Sequence, residues 1–308
     1  MNNKIFKTRF YNSVALNNNK IVKISDSVRI KKEQDWFLSA KQTIPDNIPL
    51  IYEVQTFNNI SKIVMEYING ENLYDTLRHV TSKVFVAKYI ESVSKVSKEL
   101  HAEMYPANKT DFKKMYLEKP LKSLEFFYSK YGEQYKEKDK IVINNRNCTK
   151  PEVLLLEKYK ELQHKVSSNK YTLIHGDLTL SNIIVGKDFN IFLIDPRGGF
   201  GDTKNYGDPN YDIAKFYFSL IGNFDSLNNH HFSLSVKDNI YSYNIPPIIN
   251  NFKVSWLENQ FWKYFPADKE IIKFIHCTIW LSLLPHLEES ENQTITAFLQ
   301  GTYLLNTI

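Results

Sequence analysis

The chain has 308 residues, of which 43% are hydrophobic and 24% charged, with a formal net charge of +5. This length accommodates two lobes, and this composition excludes an intrinsically disordered chain. The modest positive charge suits anionic ligands such as nucleotides, but Lys and Arg are scattered among acids and no nucleic-acid motif is present, so no nucleic-acid partner is expected.

The opening Met1–Lys7 never develops the apolar core of a signal peptide, so export is not expected. Lys20-Ile21-Val22-Lys23-Ile24 alternates as a strand, and the turn before it is Asn17-Asn18-Asn19, preceded by Tyr11-Asn12-Ser13, with no glycine. Asn tolerates left-handed backbone, so a tight turn is open to it. From Ser27 to Lys41 the pattern is helical, with Ile30, Glu33, Phe37 and Ala40 on one face. A carboxylate at Glu33 on that apolar face needs a partner. Ile63 to Ile68 reads as a second strand, ending at Asn69-Gly70.

After Gly70 the pattern turns mainly helical. A long helix ends at Leu100-His101, Asp111 to Tyr135 is rich in Lys and aromatics, and Ile141–Asn145 reads as a short strand and turn. A helix from Glu152 to about Lys165 follows. His101 reads as a core or helix-end residue, and Lys113, Lys114, Lys119 and Lys122 as a solvated face.

The segment that carries chemistry is His175-Gly176-Asp177-Leu178-Thr179-Leu180-Ser181-Asn182, then Ile183-Ile184-Val185, a polar turn over 186–190, and Ile191-Phe192-Leu193-Ile194-Asp195. Pairing the two β-branched runs about that turn places Val185 near Ile191 and Asn182 beside Ile194 or Asp195. Asn182 and Asp195 then meet at the open mouth of a hairpin. Both offer hard oxygen atoms of the kind Mg²⁺ prefers, and Mg²⁺ is commonly held by one or two carboxylates plus substrate phosphates. Asp177, on the loop leading in, is placed to accept a proton from an attacking hydroxyl.

The intervals carry a resemblance. Asp177 to Asn182 is five positions and Asn182 to Asp195 thirteen, and the first is the base-to-metal-ligand interval of the kinase catalytic loop. With Gly176 where protein kinases have Arg, the string resembles the aminoglycoside phosphotransferase and choline kinase branch of the protein-kinase-like fold. The resemblance implies Asp177 as catalytic base, Asn182 and Asp195 as Mg²⁺ ligands, and His175 as a loop-stabilising residue. It further implies an α+β, two-lobed architecture: a small strand-rich nucleotide-binding lobe over residues 1–70 and a mainly helical catalytic and acceptor-binding lobe over 71–308. In such a lobe Lys23 pairs with a helix glutamate, Glu33 with Asp35 as its competitor, to hold the phosphates of ATP. Met65-Glu66-Tyr67-Ile68 becomes the hinge whose backbone, at Glu66 and Ile68, contacts adenine. The absence of a glycine-rich loop before Lys23 is a departure from the protein-kinase pattern.

Beyond Asp195 comes Pro196-Arg197-Gly198-Gly199-Phe200-Gly201-Asp202, where Arg197 is placed for a phosphate or an anionic acceptor, with a structural ion pair as the alternative. Asp208-Pro209 reads as a helix start, capped by Asp208, with Asp212 in its first turn and Ile213, Phe216, Tyr217, Leu220 and Ile221 at helical spacing. The C-terminal helices are expected over roughly Phe252–Phe265, Ala267–Leu284 and Thr294–Leu305. His276, Trp280 and His286 could face an acceptor there, though so aromatic a region is expected to pack inward. Ile271–Leu284, interrupted by Lys273, His276, Thr278 and Ser282, is too short and polar to span a bilayer, so no membrane insertion is expected. Cys148 and Cys277, far apart and without metal-ligand spacing, fit a reducing cytoplasm. Taken together the sequence predicts an ATP- and Mg²⁺-dependent phosphotransferase acting on a hydroxyl of a small molecule, a sugar or an amino alcohol, with surface-polysaccharide metabolism as one setting. The rivals are a protein kinase, against which stand Gly176 and the missing Ala-Pro-Glu element, and a nucleotide-binding regulatory module that has lost catalysis.

Overall fold

The computed structural model describes residues 4–5, 13–132, 135, 140–166, 170–237, 240–287 and 289–308. Met1–Lys7 outside Lys4–Ile5, and Tyr11 and Asn12, lie outside the described residues. The chain folds into two compact units, one of residues 1–105 with 172–207 and the other of 106–171 with 208–308.

The first unit is built on a five-stranded sheet of β1 (Lys4–Ile5), β2 (Ser13–Asn17), β3 (Lys20–Asp26), β4 (Ile51–Phe57) and β5 (Ile60–Glu66), in the order β1-β2-β3-β5-β4. Every pairing is antiparallel. The turn joining β2 to β3 has Asn18 and Asn19 both left-handed, φ 48° and 59°, which is how two asparagines replace glycine in a two-residue hairpin turn. Between β3 and β4 runs helix α1 (Ser27–Ala40), capped where the Asp26 carboxylate accepts from the Arg29 N–H at 2.9 Å. Ile30 of α1 packs with Ile63 and Met65 of β5, flanked by Ile21, Ile51 and Val54. Strand alternation then puts Lys23 and Ser25 on the side of Ile21, facing α1, and leaves Ile24 exposed. The buried face of α1 is Ile30, Glu33, Trp36, Phe37 and Ala40, so Trp36 joins the face expected from the sequence.

The chain continues through β6 (Glu71–Asn72), α2 (Leu73–His79) and α3 (Lys83–Leu100), the last ending at His101 as expected. It returns at 172, and the strand Ile183–Val185 pairs with both Ile191–Leu193 and β6.

The second unit is mainly helical. Lys109–Lys113 runs through a π-turn, Lys114–Glu118, into Lys119–Tyr131. Pro151–Val166, Pro209–Leu220, Val254–Tyr264, Lys269–Ser282 and Glu291–Leu305 follow, and each overlaps a helix read from the pattern. Lys269–Ser282 is buried along most of its length and packs against Pro209–Leu220, Glu291–Leu305 and Lys119–Tyr131. Asp208 caps Pro209–Leu220 as expected, accepting from the Asn210 N–H at 3.0 Å and from the Tyr116 hydroxyl at 2.8 Å. A four-stranded sheet, ordered Ser233–Lys237, Ile240–Asn244, Lys140–Ile143, Arg146–Thr149, completes the unit. Of these strands only Lys140–Ile143 had a sequence expectation. No helix among the described residues is long and apolar enough to cross a membrane.

Candidate active site

The hairpin has the expected register: Ile183 faces Leu193, Ile184 faces Phe192 and Val185 faces Ile191. One more backbone bond, Ile194 N–H to the Asn182 carbonyl at 3.0 Å, extends it to the mouth and sets Asn182 beside Ile194. The turn closes with Gly186 N–H donating to Asn190 at 2.8 Å, while Asp188 and Phe189 are left-handed. Phe189 is anchored between Phe85 and Tyr89 of α3, with ring centroids 5.4 and 5.0 Å away. Asn47 adds a bond from its amide to the Ile191 carbonyl at 2.8 Å.

The loop from His175 to Asn182 is held chiefly by its own backbone. Thr179 N–H donates to the Asp177 carbonyl at 2.8 Å and Asn182 N–H to the Thr179 carbonyl at 3.0 Å. The Asn182 amide nitrogen donates to the Asp177 carbonyl at 2.9 Å and to its carboxylate at 3.2 Å. Those bonds fix which way the amide faces. His175 is fully buried, with Nε2 3.0 Å from the Ile194 carbonyl and Nδ1 accepting from the Asp177 N–H at 3.3 Å. That arrangement requires a neutral ring protonated at Nε2, and it ties the loop carrying Asp177 to the strand that ends at Asp195.

At the strand end stands a group of three charges. Lys23 Nζ lies 2.6 Å from Glu33 Oε2 and 2.5 Å from Asp195 Oδ1. Asp35 instead pairs with Lys31 one turn along the surface at 2.7 Å, so the carboxylate beside Lys23 is Glu33. Burial alone would pull the Lys23 ammonium down, but Glu33 and Asp195 outweigh it and hold the group above its ordinary value. Burial pushes the Glu33 carboxyl up, against the pull of Lys23. The side chains of Lys23 and Glu33 are 11% and 5% exposed and that of Asp195 is 58%, so the cluster is closed at the helix and open at the aspartate. Asp195 itself is left-handed, φ 56°, a conformation that aspartate tolerates better than most residues.

The donor set suits a magnesium ion bound with a nucleotide. Asn182 and Asp195 each offer a hard oxygen atom, and no group of three or more His, Cys, Asp or Glu side chains able to hold a metal occurs among the described residues. Such a site is too sparse for a protein-only metal cage and matches the ligand count Mg²⁺ takes when phosphates complete its shell.

Glu66 and Ile68 lie at and just beyond the end of β5. The Glu66 carboxylate accepts from the Leu50 N–H at 3.1 Å, and the Glu66 N–H donates to the Leu50 carbonyl at 2.8 Å. Both its side chain and its N–H are therefore engaged at the start of β4. One residue of the site escaped the sequence reading. Trp36, three positions after Glu33 on α1, donates its indole N–H to the Ile174 carbonyl at 2.6 Å and meets the His175 ring edge-on at 5.3 Å. The i, i+3 spacing from Glu33 was its signal. His276 and Trp280 are core residues of the second unit, joined by a 2.8 Å bond from the indole N–H to His276 Nε2, while His286 is exposed.

No protein-family profile matches the chain, and no curated protein matches it. Its similarity is to solved structures. An aminoglycoside-3'-phosphotransferase of type VIII is 12% identical, with 90% of this chain and 93% of that one covered at a TM-score of 0.50. A macrolide 2'-phosphotransferase from Brachybacterium faecium, as apoenzyme, is 12% identical, with 97% and 91% covered at 0.52. At that identity the likeness speaks for architecture. The chain has the α+β, protein-kinase-like fold of these phosphotransferases, with a strand-rich N-terminal sheet and a mainly helical C-terminal region.

Proposed function

We propose that the protein transfers the γ-phosphoryl group of ATP to a hydroxyl of a small molecule. The observation that carries this reading is the Lys23–Glu33–Asp195 cluster standing at the mouth of the hairpin whose other strand begins beside Asn182. A buried lysine shared between two carboxylates, one of them open to solvent, supports a nucleotide phosphate site. Lys23, oriented by Glu33, holds the phosphates. Asn182 and Asp195 are the residues that would hold Mg²⁺, which when bound neutralises charge on the transferring group. The main chain at Glu66 and Ile68 contacts adenine, and Arg197 a phosphate or the acceptor. Residues 1–70 then serve as the nucleotide lobe and 71–308 as the catalytic and acceptor lobe.

In the reaction the acceptor oxygen forms a bond to the γ-phosphorus, the bond to the bridging oxygen breaks, ADP leaves, and the hydroxyl proton passes to Asp177. The Asn182 amide and the neutral His175 ring hold Asp177 in place for this, so that positioning and electrostatics do most of the work. A sugar or an amino alcohol is the acceptor class, and surface-polysaccharide assembly in the cytoplasm the setting.

The test is Asp177→Asn. It removes the proton acceptor and leaves the metal ligands, so ADP release in the presence of acceptor should fall by about 100-fold or more while the affinity for Mg²⁺-ATP is retained. Nucleotide affinity lost in parallel with turnover would contradict the role of Asp177. Turnover untouched by the change would contradict the whole reading.

A further inference from the structure

Arg197 is fixed to the loop that carries Asp177. Its N–H donates to the His175 carbonyl at 2.9 Å, so its Cα stands beside the His-Gly-Asp turn. Gly176 is left-handed, φ 78°, and a Cβ built there would come 3.0 Å from Arg197 Cβ and 3.8 Å from Cδ. The aliphatic stem of Arg197 therefore lies across Gly176, and the two positions share one volume. A residue with a side chain at 176 would collide with that stem and would also carry the strain of positive φ. On the other side Gly198, φ 66°, is pressed against α1, where a Cβ would meet the Lys32 carbonyl at 3.0 Å. Pro196, buried, restricts the backbone from the third direction. Arg197 is an exposed residue on a clamped backbone, hydrogen-bonded to the turn that carries Asp177.

We propose that Arg197 selects an acceptor bearing an oxyanion, phosphate or carboxylate, close to the hydroxyl that is phosphorylated. The inference rests on the phosphotransferase reading and narrows its substrate class. The nucleotide's phosphates already have Lys23, on β3, whereas Arg197 is bonded to the turn that presents Asp177 to the acceptor. A planar guanidinium on a fixed stem gives an oxyanion two parallel hydrogen bonds. The same charge repels an amine, so of the two acceptor classes the amino alcohol is disfavoured and the hydroxylated acid or phosphorylated sugar preferred.

The experiment compares glucose, glucosamine, glucuronate and glucose 1-phosphate. ADP release is measured for each, and binding of each is measured by titration calorimetry in the presence of Mg²⁺ and a non-hydrolysable ATP analogue. The wild type should favour glucuronate, glucose 1-phosphate or both over glucose by about tenfold to hundredfold, and glucosamine should be the poorest. Which of the two charged compounds leads distinguishes carboxylate from phosphate. Arg197→Ala should erase the preference and weaken binding of the charged compounds more than that of the ATP analogue, and Arg197→Lys should restore only part of it because the planar fork is lost. Equal binding of charged and neutral compounds by the wild type, a preference for glucosamine, or a preference that survives Arg197→Ala would each overturn the assignment. If the binding preference holds and depends on Arg197 but no compound releases ADP, the phosphotransferase reading fails and the oxyanion site stands.

Discussion

Each unit of the protein contains a buried polar cluster, and the two differ in kind. In the first unit Lys23, Glu33 and Asp195 form a charged group closed on one side and exposed at Asp195. In the second, His276 accepts from Trp280, its ring lies edge-on to Tyr217 at 5.2 Å, and the Tyr217 hydroxyl donates to Glu258 at 2.7 Å. Glu258 Oε1 also takes Trp262 at 3.2 Å and Lys273 at 3.0 Å. Burial holds the His276 imidazole down at about 3, so it is neutral, and its indole partner is neutral as well. The second cluster is centred on a neutral core histidine and reaches the surface at the Glu258–Lys273 pair, whose side chains are 27% and 39% exposed, while the first is a lysine shared between two carboxylates, with Asp195 58% exposed.

The comparison breaks if disturbing the first cluster costs stability and leaves function alone. Asp195→Ala should have the largest effect, weakening Mg²⁺-nucleotide binding as well as turnover, by about 100-fold or more in kcat/KM, with little change in thermal midpoint. Asn182→Ala should act in the same direction and raise the Mg²⁺ concentration needed for half-maximal rate. If both variants keep the parent's metal dependence, the hairpin mouth is not the metal site.

A smaller effect is expected at the closed end. Lys23→Ala should raise the ATP requirement, Glu33→Ala should reproduce much of that loss, and the double variant should cost less than the sum, with about 0.5–3 kcal/mol of coupling. Strict additivity in nucleotide titrations would separate the two residues.

The second cluster should respond in stability and not in chemistry. The imidazole has a folded value near 3 against an ordinary 6.5, so the unfolded chain binds the proton more readily. Its contribution is therefore full above pH 6.5 and is lost as pH falls from 6.5 toward 3. Urea midpoints across that window should reveal a slope of up to about 1.4 kcal/mol per pH unit from this residue, missing in His276→Gln. An unchanged slope in the variant would assign acid sensitivity elsewhere.

The smallest expected effects compare two residues of α1. Trp36→Phe keeps the ring edge against His175 and loses one buried bond, about 1 kcal/mol, which lowers the thermal midpoint by a few degrees. Asp35→Ala, on the exposed side, should shift stability by no more than about 0.5 kcal/mol. A larger loss at Asp35 than at Trp36 would reverse the assignment of the inner and outer faces.

What sequence alone determined about this protein lies where neighbours along the chain decide geometry. The pairing of the two apolar runs Ile183–Val185 and Ile191–Leu193 about a five-residue turn determined the register that puts Asn182 at the hairpin mouth, because a slip by one residue would turn every side chain to the opposite face. Helical spacing put Glu33 on the buried face of α1, and Asp208-Pro209 announced a helix start through the chemistry of its own first turn. Tertiary structure alone decided the rest. Glu33 against Asp35 is a choice between the two faces of one helix, settled by Lys23 arriving from β3 and Asp195 from 172 positions away in the chain. The bond from Trp36 to the Ile174 carbonyl and the stem of Arg197 over Gly176 depend in the same way on segments distant in sequence. The strands Ser233–Lys237 and Ile240–Asn244 escaped because short polar strands have weak periodicity and are stabilised by the partner they pair with, here Lys140–Ile143. Local pattern reports what a segment can form; which charge meets which is decided by long-range packing.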